Sequence, residues 1–299
     1  MSEFSFVILH YMNANDTIDC IESIITTLSK RNYKIIVIDN GSTNNSYDII
    51  KERFSNLEIV TMLRSERNVG FARGCNIGFK YAKYVLRSDF IILLNNDTRV
   101  IQADMLDKVL EIYNRTGFAV LGPDIIGLDG KHQSPQRFTP ASNAEVNRDK
   151  CKLFIKLFFN YLHVDNVLVN VFRTLRHRNG LSNTAMKEAY SVCHYNVQLH
   201  GACLIFSPVY ISRFDGLYDE TFLYVEENIL YHICTKERLK ILYCPELKII
   251  HKEYGSTDFT HTIPLLKRRF IYKQSIRSLS IYQKFMKNYE TEIKKILRE

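Results

Sequence analysis

The chain has 299 residues, 46% hydrophobic and 24% charged, with 12 Gly, 6 Pro, 7 Cys, no Trp and a formal net charge of +8. That length buries one large core or two small ones, and the composition is too apolar for disorder and free of repeats or low-complexity tracts. The seven cysteines are scattered, odd in number and without C-x-x-C spacing, which predicts free thiols in a reducing compartment and argues against a zinc site or a disulfide framework.

Apolar runs and helical periodicities alternate from the start. Phe4–Tyr11 is predicted as a strand, residues 15–28 as a helix, Lys34–Asp39 as a strand and Ser42–Phe54 as a helix. Leu57–Leu63 reads as a strand, Ala72–Leu86 as a helix, Asp89–Leu94 as a strand, Ala103–Tyr113 as a helix and Ala119–Ile126 as a strand. Alternation of this kind predicts an α/β fold, with a mostly parallel sheet flanked by helices in the Rossmann manner. Residues 127–140 carry turn signals. Val192–Phe206 is predicted as a strand interrupted at Gly201, Val225–Lys236 as a helix, Leu239–Cys244 and Leu247–His251 as short strands, and the rest as a helical tail. The expected organisation is one domain over 1–263, divided into a nucleotide-binding half (1–126) and an acceptor-binding half (127–263) with an apolar, basic insertion at about 141–180. A C-terminal helical appendage follows at 264–299.

Charge is distributed unevenly along this plan. Residues 1–140 hold 16 basic and 16 acidic residues, 141–180 hold 7 and 3, 181–263 hold 7 and 10, and 264–299 hold 10 and 3. The tail places Leu279, Tyr282, Met286, Tyr289, Ile293 and Ile296 at helical spacing among lysines, a pattern that suits either an anionic leaflet or packing on the parent domain. The insertion, apolar on nearly all sides around residues 151–178, points more strongly to a membrane or a lipid-linked ligand. Its longest apolar stretch, Leu153–Phe172, is broken by Lys156, His163 and Asp165 and does not span a bilayer. With no signal peptide at the N-terminus, a cytoplasmic protein peripheral on the inner face of the plasma membrane is expected. Nucleic acid is not an expected partner, because basic residues alternate with long aliphatic runs and no nucleic-acid module is visible.

In parallel sheets ligands bind beyond the carboxyl ends of the strands, so the residues there carry the chemistry. Asp39, followed by Asn40, can accept from a base N–H or a ribose hydroxyl, or cap the next helix. Asn95-Asn96-Asp97 offers an all-oxygen site for Mg²⁺ or Mn²⁺, or a plain turn. Asn68-Val69-Gly70-Phe71-Ala72-Arg73-Gly74-Cys75-Asn76-Ile77-Gly78 is neither a P-loop nor a dinucleotide fingerprint, and its glycines permit close approach to a neighbour or a ligand. Glu226 and Glu227 open a helix, pointing about 100° apart, so one can act as a general base while the other orients substrate. His251 ends a strand, where it can ligate or simply pack.

Taken in order, VIDNGST, NVGFARGCNIG, LLNNDT, GACLIF, GLYDETFLYVEEN and a closing IIH resemble the inverting glycosyltransferases of family 2, above all a bacterial rhamnosyltransferase-like branch of surface polysaccharide synthesis. The likeness spans roughly residues 4–256. It implies the GT-A fold, a nucleotide-diphosphate sugar donor (dTDP- or UDP-linked) and a divalent metal cofactor. It also implies a glycan acceptor carried on polyprenyl diphosphate, for capsule, O-antigen or a related polymer. By this resemblance Asp39 contacts the nucleotide, with Asn40, Asn68, Gly70, Arg73, Asn76 and Asn96 along the donor. Asp97 stands for the last acid of the family's D-x-D metal motif, whose first acid is here Asn95, and His251 completes the metal or diphosphate site. Glu227 matches the family's usual base, with Glu226 beside it. Two rivals are a nucleotidyltransferase, which the glycine-free turn after the first strand opposes, and an inactive GT-A-like binding module, which the replaced acid at Asn95 favours.

Overall fold

The computed structural model describes residues 3–28, 32–163, 190–253 and 263–297. The second half of the predicted insertion and residues 254–262 lie outside them. The strands are β1 (Phe4–His10), β2 (Tyr33–Asp39), β3 (Val60–Arg64), β4 (Phe90–Asn95), β5 (Thr98–Val100), β6 (Val120–Gly127), β7 (His194–Tyr195), β8 (Cys203–Phe206) and β9 (Ile241–His251). They form one sheet in the order β3-β2-β1-β4-β8-β6-β9-β5, with β7 paired to β9. The strands β3, β2, β1 and β4 are parallel, as the βαβ alternation predicts. Beyond β4 the sheet is mixed. β8 runs antiparallel to both β4 and β6, while β6 and β9 are parallel. β8 arrives after the insertion, so no right-handed βαβ crossover dictates its direction.

Alternate residues of the parallel strands feed two cores, as a period of two requires. Phe6, Ile8, Ile35, Val37, Ile92 and Leu94 face one side, covered by α1 (Ala14–Thr27), α2 (Ser46–Phe54) and α4 (Met105–Thr116). Val7, Ile36, Ile38, Ile91 and Leu93 face the other. Here α3 (Phe71–Lys80), extended by a π-helical turn over Tyr81–Val85, lies close on the sheet. Its glycines serve that approach. A Cβ on Gly74 would stand 2.6 Å from Leu9 Cδ1, and one on Gly78 would strike Ile38 Cδ1.

The second half adds α5 (Asn143–Tyr161), opened by a Ser142–Glu145 capping box, then α6 (Pro208–Ile211), α7 (Glu226–Lys236), α8 (Pro264–Lys287) and α9 (Tyr289–Glu292). α5 and α8 pack antiparallel: Lys150 Nζ donates to Gln283 Oε1 near one end, and Arg269 Nε donates to Asn160 Oδ1 near the other. The tail's apolar side turns inward. Tyr282, Phe285, Tyr289, Ile293 and Ile296 are buried in the same core as α3 and α7. α5 does the opposite at its C-terminal end, leaving Phe154, Ile155, Phe158, Tyr161 and Leu162 roughly half exposed, at 47–60%. Among the described residues no helix is long and apolar enough to cross a membrane.

Four elements depart from the sequence expectation, the first being the strand foreseen over Val192–Phe206, of which only β7, on β9, and β8, between β4 and β6, form. α2 begins at Ser46, because residues 42–44 wrap the end of β1: the Met12 N–H donates to Ser42 Oγ, and Asn44 Nδ2 donates to Met12 O. β5 went unpredicted, being three residues long and paired only with β9. The two strands foreseen after α7 are one, β9, which carries a register shift opposite Pro123 and Asp124 where Pro245 interrupts the ladder.

Candidate active site

The carboxyl ends of the parallel strands line up His10, Asp39 and Arg64 across β1, β2 and β3, with Asn95 ending β4 on the other side of β1. Asp39 is fully buried. Its Oδ1 accepts the Ser42 N–H, while Arg64 Nε lies 3.0 Å from Oδ2 in an orientation that leaves this oxygen without an aligned donor. A buried carboxylate oxygen in that state is suited to accept an N–H or O–H from a ligand. His10 closes the site from below. Its two ring nitrogens contact Thr17 Oγ1 and Ser46 Oγ, and burial lowers its pKa to about 4, against the opposing pull of Asp39.

The predicted donor-site carboxamides mainly hold loops. Asn40 Nδ2 donates to Asn68 Oδ1 and Gly70 O, and Asn40 Oδ1 accepts the Val69 N–H. Asn68 Oδ1 also accepts the Gly70 N–H. Asn76 bonds the loop before α7: its Nδ2 donates to Leu217 O and its Oδ1 accepts the Leu217 N–H. It therefore clamps α3 to that loop. Arg73 reaches the same loop through Asp219 O. Gly70, at φ +92°, is where the two motifs touch. The Phe71 N–H donates to Phe222 O, and a Cβ on Gly70 would stand 2.5 Å from that oxygen. Asn96 Nδ2 donates to Thr17 Oγ1, tying the tip of β4 to α1.

β5 brings Asp97 and His251 together. Thr98 pairs with His251, the Lys252 N–H donates to Asp97 O, and Asp97 Oδ1 lies 3.2 Å from His251 Nε2. The tautomer of His251 follows from its other side. Gln133 Nε2 donates to Glu253 Oε1, which can only accept, so Gln133 Oε1 faces His251 Nδ1 at 2.7 Å and Nδ1 must carry the hydrogen. In the neutral ring, Nε2 then turns a bare lone pair toward the Asp97 carboxylate. Two acceptors at that distance repel unless a cation or a proton lies between them. The Asp97 carboxylate fits Mn²⁺ or Mg²⁺, the imidazole nitrogen beside it favours the softer Mn²⁺ of the two, and a carbonyl-bonded imidazole is the usual support of a ligand histidine. Gln133 falls in a segment the sequence presents only as turns. His200 is a further neighbour missed from sequence, although it directly precedes Gly201. Its Nδ1 accepts the Ala202 N–H, its ring centroid lies 5.4 Å from that of His251, and burial with the adjacent His251 lowers its pKa to about 4.

The acid pair sits across β8. The Asn95 N–H donates to Ala202 O, which places Gly201 beside the tip of β4, and Glu227 packs against Gly201 so closely that a Cβ there would be 3.1 Å from Glu227 Cδ. The turn into α7 is strained: Tyr224 and Val225 adopt left-handed φ values of +71° and +74°, and Val225 as N-cap offers no side-chain acceptor. A β-branched residue there costs roughly 1–2 kcal/mol. Strain of that size at the base of an acid pair is the kind that functional sites retain. The two acids differ. Glu226 is 6% exposed and accepts from Thr221 Oγ1; burial, then the charge of Glu227, pushes its pKa well up. Glu227 keeps partial access. Burial also raises its pKa, but the backbone N–H groups of Glu227 and Gly201 face its carboxylate and favour the ion. Burial and the neighbouring charge thus favour the neutral form of Glu226, while the facing N–H groups favour the ion at Glu227.

This arrangement has a consequence for stability. A carboxyl whose pKa is raised by folding is no burden below its unfolded value and becomes one as pH climbs toward the folded value. Glu226→Gln keeps the acceptor for Thr221 and removes that burden. The thermal midpoint is expected to rise, more near pH 8 than near pH 5, by scanning calorimetry at both.

Comparison with known proteins supplies the context for this geometry. The sequence profile described as Glycosyl transferase family 2 matches residues 5–172. The low-salt glycan biosynthesis hexosyltransferase Agl10 of Haloferax volcanii is 21% identical over 287 residues, covering 94% of this chain and 78% of its own length. The dTDP-rhamnosyl transferase RfbF of Shigella flexneri is 27% identical over 121 residues, which is 40% of this chain and 39% of RfbF. Among solved structures, S. aureus TarS 1-349 overlaps 46% of this chain and 39% of its own, with 19% identity and a TM-score of 0.38.

Proposed function

The chain belongs to glycosyl transferase family 2, and from that premise we propose that it transfers a hexose or deoxyhexose, with inversion, from a nucleotide-diphosphate sugar to an acceptor hydroxyl. The observation that carries the reading is the convergence of three groups on one end of the sheet: the buried Asp39, the Asp97–His251 pair, and Glu227 held against Gly201. Asp39 Oδ2 accepts from the nucleoside of the donor. Asp97 and His251 hold a divalent ion, which when bound supplies counter-charge for the diphosphate. Glu227 accepts the proton of the acceptor hydroxyl as its oxygen forms the new bond to the anomeric carbon. The bond from that carbon to the diphosphate breaks on the opposite face, and the nucleoside diphosphate departs. Glu226, neutral and buried, keeps the base in place without competing for the proton.

The test is calorimetric binding of UDP, dTDP and GDP, each with and without Mn²⁺, followed by turnover with sugars on the nucleotide that binds. One nucleotide is expected to bind far better with the metal present. A folded protein that binds none of the three would overturn the transferase reading in favour of an inactive binding module. A companion variant is Gly201→Ala. Its Cβ would drive Glu227 out of place, so kcat is expected to fall while nucleotide affinity by calorimetry stays within about twofold.

The acceptor is read as a glycan on a polyprenyl diphosphate, at the inner face of the plasma membrane. What supports this is the C-terminal end of α5, where Phe154, Ile155, Phe158 and Leu162 are exposed beside Lys152 and Lys156. The tail is a poorer candidate for that contact, since its apolar side is spent on the core. Co-sedimentation with phosphatidylglycerol vesicles at physiological salt is expected, and Phe154→Ser/Phe158→Ser should abolish it. Indifference of the wild type to such vesicles would remove the membrane from the proposal.

A further inference from the structure

Cysteines that are far apart in the sequence are not all apart in space. β7 pairs antiparallel with β9, with His194 opposite Tyr243 and Tyr195 opposite Leu242. One step further along this register sets Cys193 opposite Cys244. The Asn196 N–H donates to Ile241 O, which makes 196/241 a hydrogen-bonded pair. Alternation along the ladder then makes 193/244 a non-hydrogen-bonded pair, the type in which opposite side chains come closest. The two sulfurs are in contact at 2.6 Å, with Cys193 exposed and Cys244 buried. Arg115 Nη2 lies 3.7 Å from Cys244 Sγ and also pairs with Glu246 Oε1.

We propose that Cys193 and Cys244 are a reversible thiol-oxidation site, closing into an intrachain disulfide that staples β7 to β9. The exposed Cys193 thiolate attacks one sulfur of a small-molecule disulfide such as oxidised glutathione and expels one glutathione thiolate, which takes a proton from water. Cys244, giving up its own proton, attacks Cys193 Sγ and expels the second glutathione. Two protein thiols are oxidised and one external disulfide is reduced to two thiols. Arg115 is placed to steady the Cys244 thiolate during the second step.

Cys193, Cys244 and Glu246 also form a three-donor cluster that has the residue types of a zinc site. One observation favours the disulfide: the Glu246 carboxylate is already engaged by the Arg115 guanidinium, which a dication would have to displace.

What the staple would hold is the stretch leading into the site. Tyr190 stacks on His132 and accepts from Tyr243 OH through its carbonyl, and the chain continues through Gln198 to His200 and Gly201. β9 ends at His251.

The whole reduced protein, incubated with oxidised glutathione, quenched in acid and alkylated with iodoacetamide, tests the pairing by peptide mass spectrometry. The expected result is joint loss of label from Cys193 and Cys244, with one linked peptide two hydrogens lighter than its parts and restored by dithiothreitol. The exposed Cys151 should keep its label or carry glutathione. In Cys193→Ser, a surface change, Cys244 should neither link nor take up glutathione. Full alkylation of both cysteines after the oxidant would overturn the proposal, as would glutathione retained on Cys193, or stoichiometric zinc held at these sulfurs after dialysis of the reduced protein against zinc chloride.

Discussion

Glu227→Gln is expected to lower the kcat for sugar transfer by about 10²–10⁴-fold, the usual worth of a positioned general base, with donor affinity unchanged by calorimetry. The substitution keeps size and hydrogen-bonding reach and removes only the ability to take a proton. Glu226→Gln should keep most of the activity, because burial and the charge of Glu227 favour the neutral form of that residue. The pH profile separates the two assignments further. A base works deprotonated, so kcat/KM rises as pH passes its pKa, and burial raises that of Glu227 above the ordinary carboxyl range. The acid limb should therefore lie above about 4.3, the value for a solvated Glu. It should stay in place in Glu226→Gln, since Glu226 is already neutral when Glu227 ionises. A loss of activity in Glu226→Gln that matched Glu227→Gln would exchange the two roles.

The residue pattern placed both glutamates at the mouth of a helix without choosing between them, because adjacent helical positions differ only in direction; only the family resemblance favoured Glu227. What separates them is tertiary: Thr221 and the core around Glu226, and Gly201 behind Glu227. The same division runs through the fold. β1, β2, β4 and β6 were legible because buried parallel strands are continuous apolar runs with polar tips, and the tips Asp39 and Asn95-Asn96-Asp97 stand at the carboxyl ends of the strands. The bond from Asn76 to Leu217 was hidden, because a carboxamide beside a glycine motif says nothing about a partner 141 residues away. β5 was too short to be seen, although Thr98-Arg99-Val100-Ile101 carries a β-branched signal. Without it, only the family resemblance joined His251 to Asp97, and the strand pairing that seats them together was not legible. Gln133 and the Cys193–Cys244 contact were equally out of reach, since each depends on the register of β9 or the loops it gathers.

Asp97→Asn carries the second large expected effect. The exchange removes a charge and keeps the shape, and the new carboxamide can donate to His251 Nε2 across the same contact. Stability should hold or rise slightly, while function falls. In the wild type, nucleotide affinity is expected to depend strongly on Mn²⁺; in Asp97→Asn the titrations with and without Mn²⁺ should coincide. Direct Mn²⁺ binding, followed by the electron paramagnetic resonance of the free ion, should weaken in parallel. The kcat is expected to drop by about 10²–10³-fold, the size of effect seen when one preorganised charge-stabilising group is lost. His251→Ala should move the same readouts in the same direction, because the two side chains face one point 3.2 Å across. Asn95 in place of the first acid of the D-x-D motif leaves Asp97 as the single carboxylate of that tripeptide, so no neighbouring acid in the tripeptide can substitute for it. If the wild type binds its nucleotide equally well without Mn²⁺ and Asp97→Asn leaves that affinity untouched, Asp97 and His251 are an ion pair across β5 and β9. The diphosphate must then be neutralised by side chains alone.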